Sequence, residues 1–260
     1  MGRPLVSMIS DFGQSEYAAA MKMAIWREAP DCRVVDFYHD IHHGAVLQGA
    51  HMLVKAVREM PDAVHVVVVD PGVGTDRRAV IVRTDGLNLV GPDNGVLEPV
   101  TRGTNDMVVR EIAFPPGGAS PVFHGRDLFA PTAAKVARGD DIATLGRQVG
   151  SLMPLPSYGF DRFGDRVVTR VVHVDVFGNV QTPVPYRAME DLVDTRRRVL
   201  VWLADESHEA RIVSTYGHLA VGELGVLVSS SGHVEVAQRD GPAAVLLGSR
   251  IGDEIAIDVE

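Results

Sequence analysis

Two carboxylates at the ends of apolar runs mark where this chain could do chemistry. In His65-Val66-Val67-Val68-Val69-Asp70-Pro71-Gly72-Val73-Gly74-Thr75-Asp76-Arg77-Arg78, β-branched residues stop at Asp70, a Pro/Gly turn follows, and two arginines close the segment. Leu5-Val6-Ser7-Met8-Ile9-Ser10-Asp11-Phe12-Gly13 has the same grammar. The first run does not alternate with polar residues, so it reads as a strand covered on both faces, and the second is another apolar run ending at a carboxylate. Open α/β sheets bind ligands in the crevice outside the carboxyl ends of their strands. Asp11 and Asp70 are therefore expected to face one crevice, with Arg77 or Arg78 folded back beside Asp70. The plainer alternative is that each aspartate only caps a turn.

Two further groups add functional side chains. Phe123-His124-Gly125-Arg126-Asp127 puts an imidazole and a glycine just before an expected helix. Gly125 would let a ligand approach the backbone, and the helix start would attract negative charge or a lone pair. His173-Val174-Asp175-Val176-Phe177-Gly178-Asn179 ends a strand. There Asp175 could hold an ammonium, Phe177 could stack on an aromatic base, and Asn179 could read that base through its amide. An ordinary turn explains the same residues. His39, His42 and His43 crowd one loop but lack carboxylate or Cys partners at ligand spacing, so they read as structural or exposed, with no metal site. The chain has no GxxxxGK[ST], GxGxxG, HExxH or Gly-x-Ser-x-Gly motif, which removes weight from the chemistries those loops serve.

The elements that must position these residues fall into two styles. Residues 1–150 alternate strands and helices: Glu16–Ala29 and Val46–Met60 have helical apolar spacing, Arg33–Phe37 and Ala79–Thr84 read as strands, and Asp127 reads as the N-cap of a helix running to Arg138. This predicts an N-terminal α/β domain with a largely parallel sheet flanked by helices. Residues 151–165 carry Pro154, Pro156, Gly159 and Gly164 and read as a linker. Residues 166–260 show only short strands, at 167–174, 197–203, 224–229, 233–238 and 254–259, which predicts a small C-terminal β-barrel or sandwich domain.

Composition narrows the class. The 260 residues suffice for a sizeable core, and 46% hydrophobic content with 26 Gly and 15 Pro describes a globular, turn-rich chain. A net charge of −9 argues against nucleic acid and anionic membranes as partners. No apolar stretch approaches the ~18 residues of a membrane span, and no signal-peptide pattern opens the chain. With a single Cys32 there is no internal disulfide, so a cytoplasmic protein is expected.

Taken in order, these segments resemble the S-adenosylmethionine hydroxide adenosyltransferases, relatives of the SAM-dependent fluorinase and chlorinase. The matching pieces are Ser10-Asp11-Phe12-Gly13, Val69 to Thr75 with Arg77 and Arg78, Gly91-Pro92-Asp93-Asn94-Gly95, Phe123 to Asp127 with Phe129-Ala130-Pro131, and Asp175 with Phe177-Gly178-Asn179. The resemblance implies a homotrimer with sites at subunit interfaces, each pairing one chain's N-terminal domain with a neighbour's C-terminal domain. It implies a catalytic set of Asp70, Arg77 and His124. It also implies ribose binding by Asp11, a methionine-ammonium contact by Asp175, adenine contacts by Phe177 and Asn179, and a methionine-carboxylate contact by Ser230. Gly125 stands where the fluorinase carries a fluoride-binding serine, and Asp70 where the halogenating relatives carry a tyrosine. The chain departs from the family pattern at Ile41-His42-His43-Gly44-Ala45-Val46, one wall of the ribose pocket, and at Thr182-Pro183.

The implied reaction is attack of water on the ribose 5′-carbon of S-adenosyl-L-methionine (SAM), giving adenosine and L-methionine. A neutral thioether leaves a sulfonium, so neither a general acid nor a metal is needed, and SAM is substrate rather than cofactor. Asp70 would accept a hydrogen bond from the water, Arg77 would hold Asp70, and His124 would orient or deprotonate the water. Which of Asp70 and His124 is the base stays open at this level. Three other activities share these residues: a SAM-dependent halogenase, disfavoured by a carboxylate repelling halide at short range; a non-catalytic SAM or nucleoside binder; and an enzyme of another nucleoside.

Overall fold

The computed structural model describes residues 4–115, 118–192 and 198–260. It divides into two units, Met1–Leu155 and Pro156–Glu260.

The first unit contains β1 (Leu5–Ser10), α1 (Glu16–Glu28), β2 (Arg33–Tyr38), α2 (Val46–Glu59), β3 (Val64–Val68), β4 (Ala79–Thr84), β5 (Leu87–Pro92), β6 (Val108–Ile112), α3 (Ala130–Ala137) and β7 (Gly146–Val149). β3 is a strand because both its faces are covered. Val64, Val66 and Val68 pack with Val6 and Met8 of β1 against Met21 and Ile25 of α1, Ala133 of α3 and Phe129 just before it. The opposite face carries α2, packed so closely that a Cβ on Gly49 would stand 2.9 Å from Val69. Burying a valine in this way stabilises the fold by about 1.5–3 kcal/mol per side chain. The same face holds a polar pair, Ser7 Oγ at 2.8 Å from His65 Nδ1. Both residues are fully buried.

The sheet runs β2-β1-β3-β5-β4-β6-β7. Its β2-β1-β3-β5 part is parallel, but the β5-β4-β6-β7 part is antiparallel. The expected largely parallel sheet is thus corrected to a mixed one. β4 and β5 are joined by Asp85 and Gly86 alone, with φ of 43° and 85°. A two-residue turn of this left-handed kind makes a hairpin and permits only antiparallel neighbours.

The second unit contains β8 (Phe160–Phe163), β9 (Arg166–Arg170), β10 (His173–Val174), β11 (Val180–Pro185), β12 (Val199–Leu203), β13 (Glu206–Ile212), β14 (Leu224–Val228), β15 (His233–Gln238), α4 (Ala243–Leu247) and β16 (Glu254–Val259). All the strands belong to one sheet, ordered β10-β11-β15-β14-β13-β12-β16-β9-β8. Val180 and Val184 of β11 share a core with Val167 of β9 and Ile255 and Ile257 of β16. Strands far apart in the sheet therefore meet across one interior, and the sheet is curled. Two expectations change here. The stretch read as a linker contains β8, which pairs with β9. The strand expected over 167–174 is divided in two, and residue 197, where the next one was expected to begin, lies outside the described residues. Among the described residues no helix is long and apolar enough to cross a membrane.

Candidate active site

β1 and β3 are parallel neighbours in which Ser10 pairs with Val68. The chains leaving them stay together, since Asp11 N donates to Val68 O at 3.3 Å. Both carboxylates therefore reach the same edge of the sheet. They border one cleft of about 520 Å³ together with Phe12, Tyr17, Phe123 and His124.

The turn after Asp70 folds back through local hydrogen bonds. Val73 N donates to Asp70 O at 3.2 Å and Thr75 N to Gly72 O at 3.2 Å. Gly74 sits at φ +79°, and a Cβ there would lie 2.7 Å from Pro121 O, so this position needs glycine for its conformation and for the space. The result places Arg77 on Asp70 with a fork: Nε donates to Oδ1 at 2.8 Å and Nη2 donates to Oδ2. Arg78, the other candidate, turns away. It donates to Asp93 and, at 2.8 Å, to Ser151 O.

Arg77 Nη2 also reaches His124 Nδ1 at 3.0 Å, and the guanidinium lies 5.2 Å from the centre of the Phe129 ring. A guanidinium only donates. Nδ1 of His124 therefore accepts, and the neutral ring carries its hydrogen on Nε2. Burial and the neighbouring Arg77 charge hold the His124 pKa below its ordinary value, against the pull of Asp70 and Asp127. The imidazole is thus neutral at pH 7, with Nδ1 occupied and only an N–H to offer. Phe114 packs edge-on against it, with ring centres 5.6 Å apart.

His124 is carried by a tight helical turn. Gly125–Phe129 forms a π-helical turn that runs directly into α3. This corrects the expectation that Asp127 is an N-cap. Asp127 lies inside the turn, its N–H donating to Phe123 O at 3.2 Å. Its carboxylate instead accepts from Ser120 N at 2.9 Å and from Arg126. Gly125 is closely packed: a Cβ there would stand 3.2 Å from Met21 Sδ and 3.4 Å from Phe12 Cζ, so these side chains would have to give slightly. Its approach is thus filled in part by protein side chains. Phe12, Tyr17 and Phe123 make an aromatic wall, with ring centres 5.2–5.9 Å apart.

Asp11 Oδ2 accepts from Gly44 N at 2.9 Å and lies 3.4 Å from Nδ1 of the exposed His43. The histidine-rich loop therefore contributes one cleft-bordering residue, His43. Among the described residues no group of His, Cys, Asp and Glu is arranged to hold a metal ion.

The second unit holds the remaining candidates. Asp175 Oδ1 accepts from Phe177 N and Asn179 N, both at 2.9 Å, and Oδ2 accepts from Asn179 Nδ2 at 3.0 Å. Asp175 thus does cap a turn, and a ligand would meet only its remaining lone pairs. Asn179 is buried with its amide N–H₂ turned to Asp175, while Phe177 is 75% exposed. Gly178 stands at φ +83°, with Pro242 so close that a Cβ would lie 2.4 Å from it. Ser230 is exposed on the β14–β15 turn, between Ser229 and Ser231, whose hydroxyls pair at 2.8 Å.

Sequence reasoning did not single out Tyr17 or Phe114, which nothing local marks because they meet the site through packing of distant segments. His43 stood out only within the histidine-rich loop, read as structural or exposed, and it borders the cleft beside Asp11.

A buried carboxylate–guanidinium–imidazole chain at the carboxyl edge of parallel strands, in a unit followed by a curled sheet, belongs to a defined class. The SAM hydroxide adenosyltransferase N-terminal domain model matches residues 6–146, and the corresponding C-terminal domain model matches residues 169–256. The chain belongs to the SAM hydroxide adenosyltransferase family. A Salinispora tropica relative named (R)-S-adenosyl-L-methionine hydrolase is 39% identical, with 98% of this chain and 97% of the relative covered. A Thermus thermophilus relative of the same name is 33% identical over 95% of this chain and 96% of its own. The crystal structure of an uncharacterized conserved protein from Thermotoga maritima superimposes with a TM-score of 0.90 at 33% identity, covering 97% of this chain and 99% of that one.

Proposed function

We propose that this chain hydrolyses S-adenosyl-L-methionine to adenosine and L-methionine by in-line attack of water on the ribose 5′-carbon. The family membership and the name shared by its relatives give the substrate. The observation that carries the mechanism is the chain Asp70–Arg77–His124 beside a cleft that Asp11 also borders.

Asp70 is the proton acceptor in this scheme. Arg77 occupies one lone pair on each of its oxygens, and an ionised carboxylate has further acceptor capacity for water. His124 is an unsuitable base, because its one lone pair already accepts from Arg77. It instead donates from Nε2 to the water oxygen and orients it. Positioning of this kind lowers a barrier by up to about 7–11 kcal/mol, and base assistance adds roughly 100- to 10,000-fold. The sulfonium leaves as a neutral thioether, so the reaction asks for no cofactor or metal.

Asp11 grips the ribose diol, and the second unit supplies Phe177 and Asn179 for adenine and Asp175 and Ser230 for methionine. Gly125 borders the water side of the cleft. The working assembly is a homotrimer with each site shared between neighbouring chains. Its support is the apolar surface of the second unit, where Val176 is 92% and Val245 76% exposed. A net charge of −9 and a single buried Cys32 support a cytoplasmic enzyme without nucleic-acid partners.

The test is turnover of SAM in ¹⁸O-enriched water with mass analysis of the products. Label in the adenosine 5′-hydroxyl and none in methionine is the expected result. SAM that binds and never turns over would make the protein a binder, and 5′-halo-5′-deoxyadenosine formed in chloride or fluoride would make it a halogenase. Near wild-type turnover in both Asp70→Ala and Arg77→Ala would overturn the mechanism.

A further inference from the structure

A second chain of polar side chains runs behind the cleft, from α1 through the end of β2 to the end of β1. Lys22 Nζ donates to Asp36 Oδ2 at 2.8 Å. His39 Nε2 lies 3.1 Å from Asp36 Oδ1, and His39 Nδ1 lies 2.7 Å from Ser10 Oγ. Asp36 accepts from both neighbours, so Nε2 of His39 carries a hydrogen, and the tautomer with its hydrogen there leaves Nδ1 to accept from the Ser10 hydroxyl. Ser10 Oγ in turn accepts from Phe12 N at 3.3 Å. The backbone of the same histidine is also engaged, because Gly13 N donates to His39 O at 2.7 Å.

These bonds converge on one short loop. Ser10 precedes Asp11, and Phe12 and Gly13 follow it, so each neighbour of Asp11 is tied directly or through Ser10 to His39. The residue types are those of a serine hydrolase, yet Ser10 is fully buried and neither it nor His39 borders the cleft. No substrate reaches this hydroxyl. What the chain can do is fix the backbone that aims Asp11 and the Phe12 ring.

We infer that His39 is a positioning residue for SAM hydrolysis: by accepting the Ser10 hydroxyl it holds the Asp11–Gly13 loop, and thereby the carboxylate that grips the ribose diol. The inference rests on the assignment of Asp11 made above. An acid that binds the diol in ground and transition states alike acts on KM rather than kcat. A slack loop should therefore raise KM and weaken recognition of the 2′-hydroxyl.

Two substitutions separate this role from a structural one. In His39→Asn the amide oxygen takes the place of Nδ1, keeping the Ser10 bond and losing Asp36. In His39→Gln the longer amide reaches Asp36 and loses Ser10. Steady-state kinetics of the full chain with SAM and 2′-deoxy-SAM, beside thermal melts, read the difference. His39→Gln is expected to raise KM about tenfold, the scale of one lost hydrogen bond. Its kcat should stay within about threefold, and its preference for SAM over the 2′-deoxy analogue should fall by a similar factor. His39→Asn should restore both, and Ser10→Ala should reproduce the Gln variant by removing the other partner.

Equal KM changes in the Asn and Gln variants, or unchanged 2′-hydroxyl recognition in Gln and Ser10→Ala, would overturn the inference. Asp11→Ala separates the two levels. If it shifts KM and 2′-hydroxyl recognition while the His39 and Ser10 variants do not, the His39 role alone falls. If Asp11→Ala shifts neither, the assignment of Asp11 falls and the His39 role with it.

Discussion

Arg77→Lys tests the catalytic chain at its centre. The substitution keeps the positive charge and removes the fork. In the native protein Nε donates to Asp70 Oδ1 at 2.8 Å, and Nη2 donates to Asp70 Oδ2 and reaches His124 Nδ1 at 3.0 Å. An ammonium is a compact point charge on a flexible stem and cannot hold both partners in this geometry. At least two of these bonds are lost. Hydrogen bonds to charged groups contribute about 1.5–3 kcal/mol each, so positioning of the water-binding pair weakens by roughly 3–6 kcal/mol. At about 1.4 kcal/mol per decade this lowers kcat by roughly 100- to 10,000-fold. Arg77 does not border the cleft, and its side chain is only 11% exposed. It acts through Asp70 and His124 rather than by touching substrate, so KM should stay within about threefold. The assay is adenosine release followed over a range of SAM concentrations, run well below the melting temperature of the variant. A kcat within about threefold of wild type, or a loss of kcat/KM carried wholly by KM, would refute the proposed division of roles.

Two further outcomes concern acid. The His124 pKa is held below 6.5 by burial and by Arg77, and protonation would set an N–H of the ring against the guanidinium. Activity is therefore full near neutrality and lost as pH falls through a value below 6.5. The pH profile of kcat/KM should show that acid limb, and His124→Gln should remove it along with much of the rate. A limb that survives in His124→Gln belongs to another group. Buried His65 affects stability instead, because desolvation lowers its pKa from 6.5 to about 4. The unfolded chain takes up this proton near 6.5 and the folded chain only near 4. Stability from this group is thus whole above pH 6.5 and declines as pH falls toward 4, by about 3 kcal/mol in total at 1.36 kcal/mol per unit. Denaturant titrations of wild type and His65→Gln should converge in slope against pH if His65 is not responsible.

Much of the cleft could be read from the chain because its parts are local. Asp70 and Arg77 are joined by one turn whose Gly74 and Thr75 set the reversal. Apolar runs ending at Asp11 and Asp70 announced strand ends, and β1 and β3 lie there as parallel neighbours. Other features were not legible. Asp127 looks like a cap from its neighbours, but the π-helical turn begins before it. β13, Glu206–Ile212, was missed because it is mostly polar and solvent-facing, which hides the apolar signal of a strand. The histidine loop looked undifferentiated, yet pairing of β1 with β2 sets His39 against Ser10 and leaves His43 open to solvent.

The sequence by itself determined which residues are chemically equipped and on which strand ends and turns they stand, since turn chemistry and strand burial depend on residues a few positions apart. Only the tertiary structure decided their state. It turned Arg77 rather than Arg78 onto Asp70, left His124 neutral with Nδ1 occupied, and committed Asp175 to its own turn. Those outcomes depend on burial and on partners brought from far along the chain. His124 lies 47 residues from Arg77, and His65 lies 58 from Ser7. No local pattern encodes the desolvation and hydrogen bonding that set a side chain's charge and its free lone pairs.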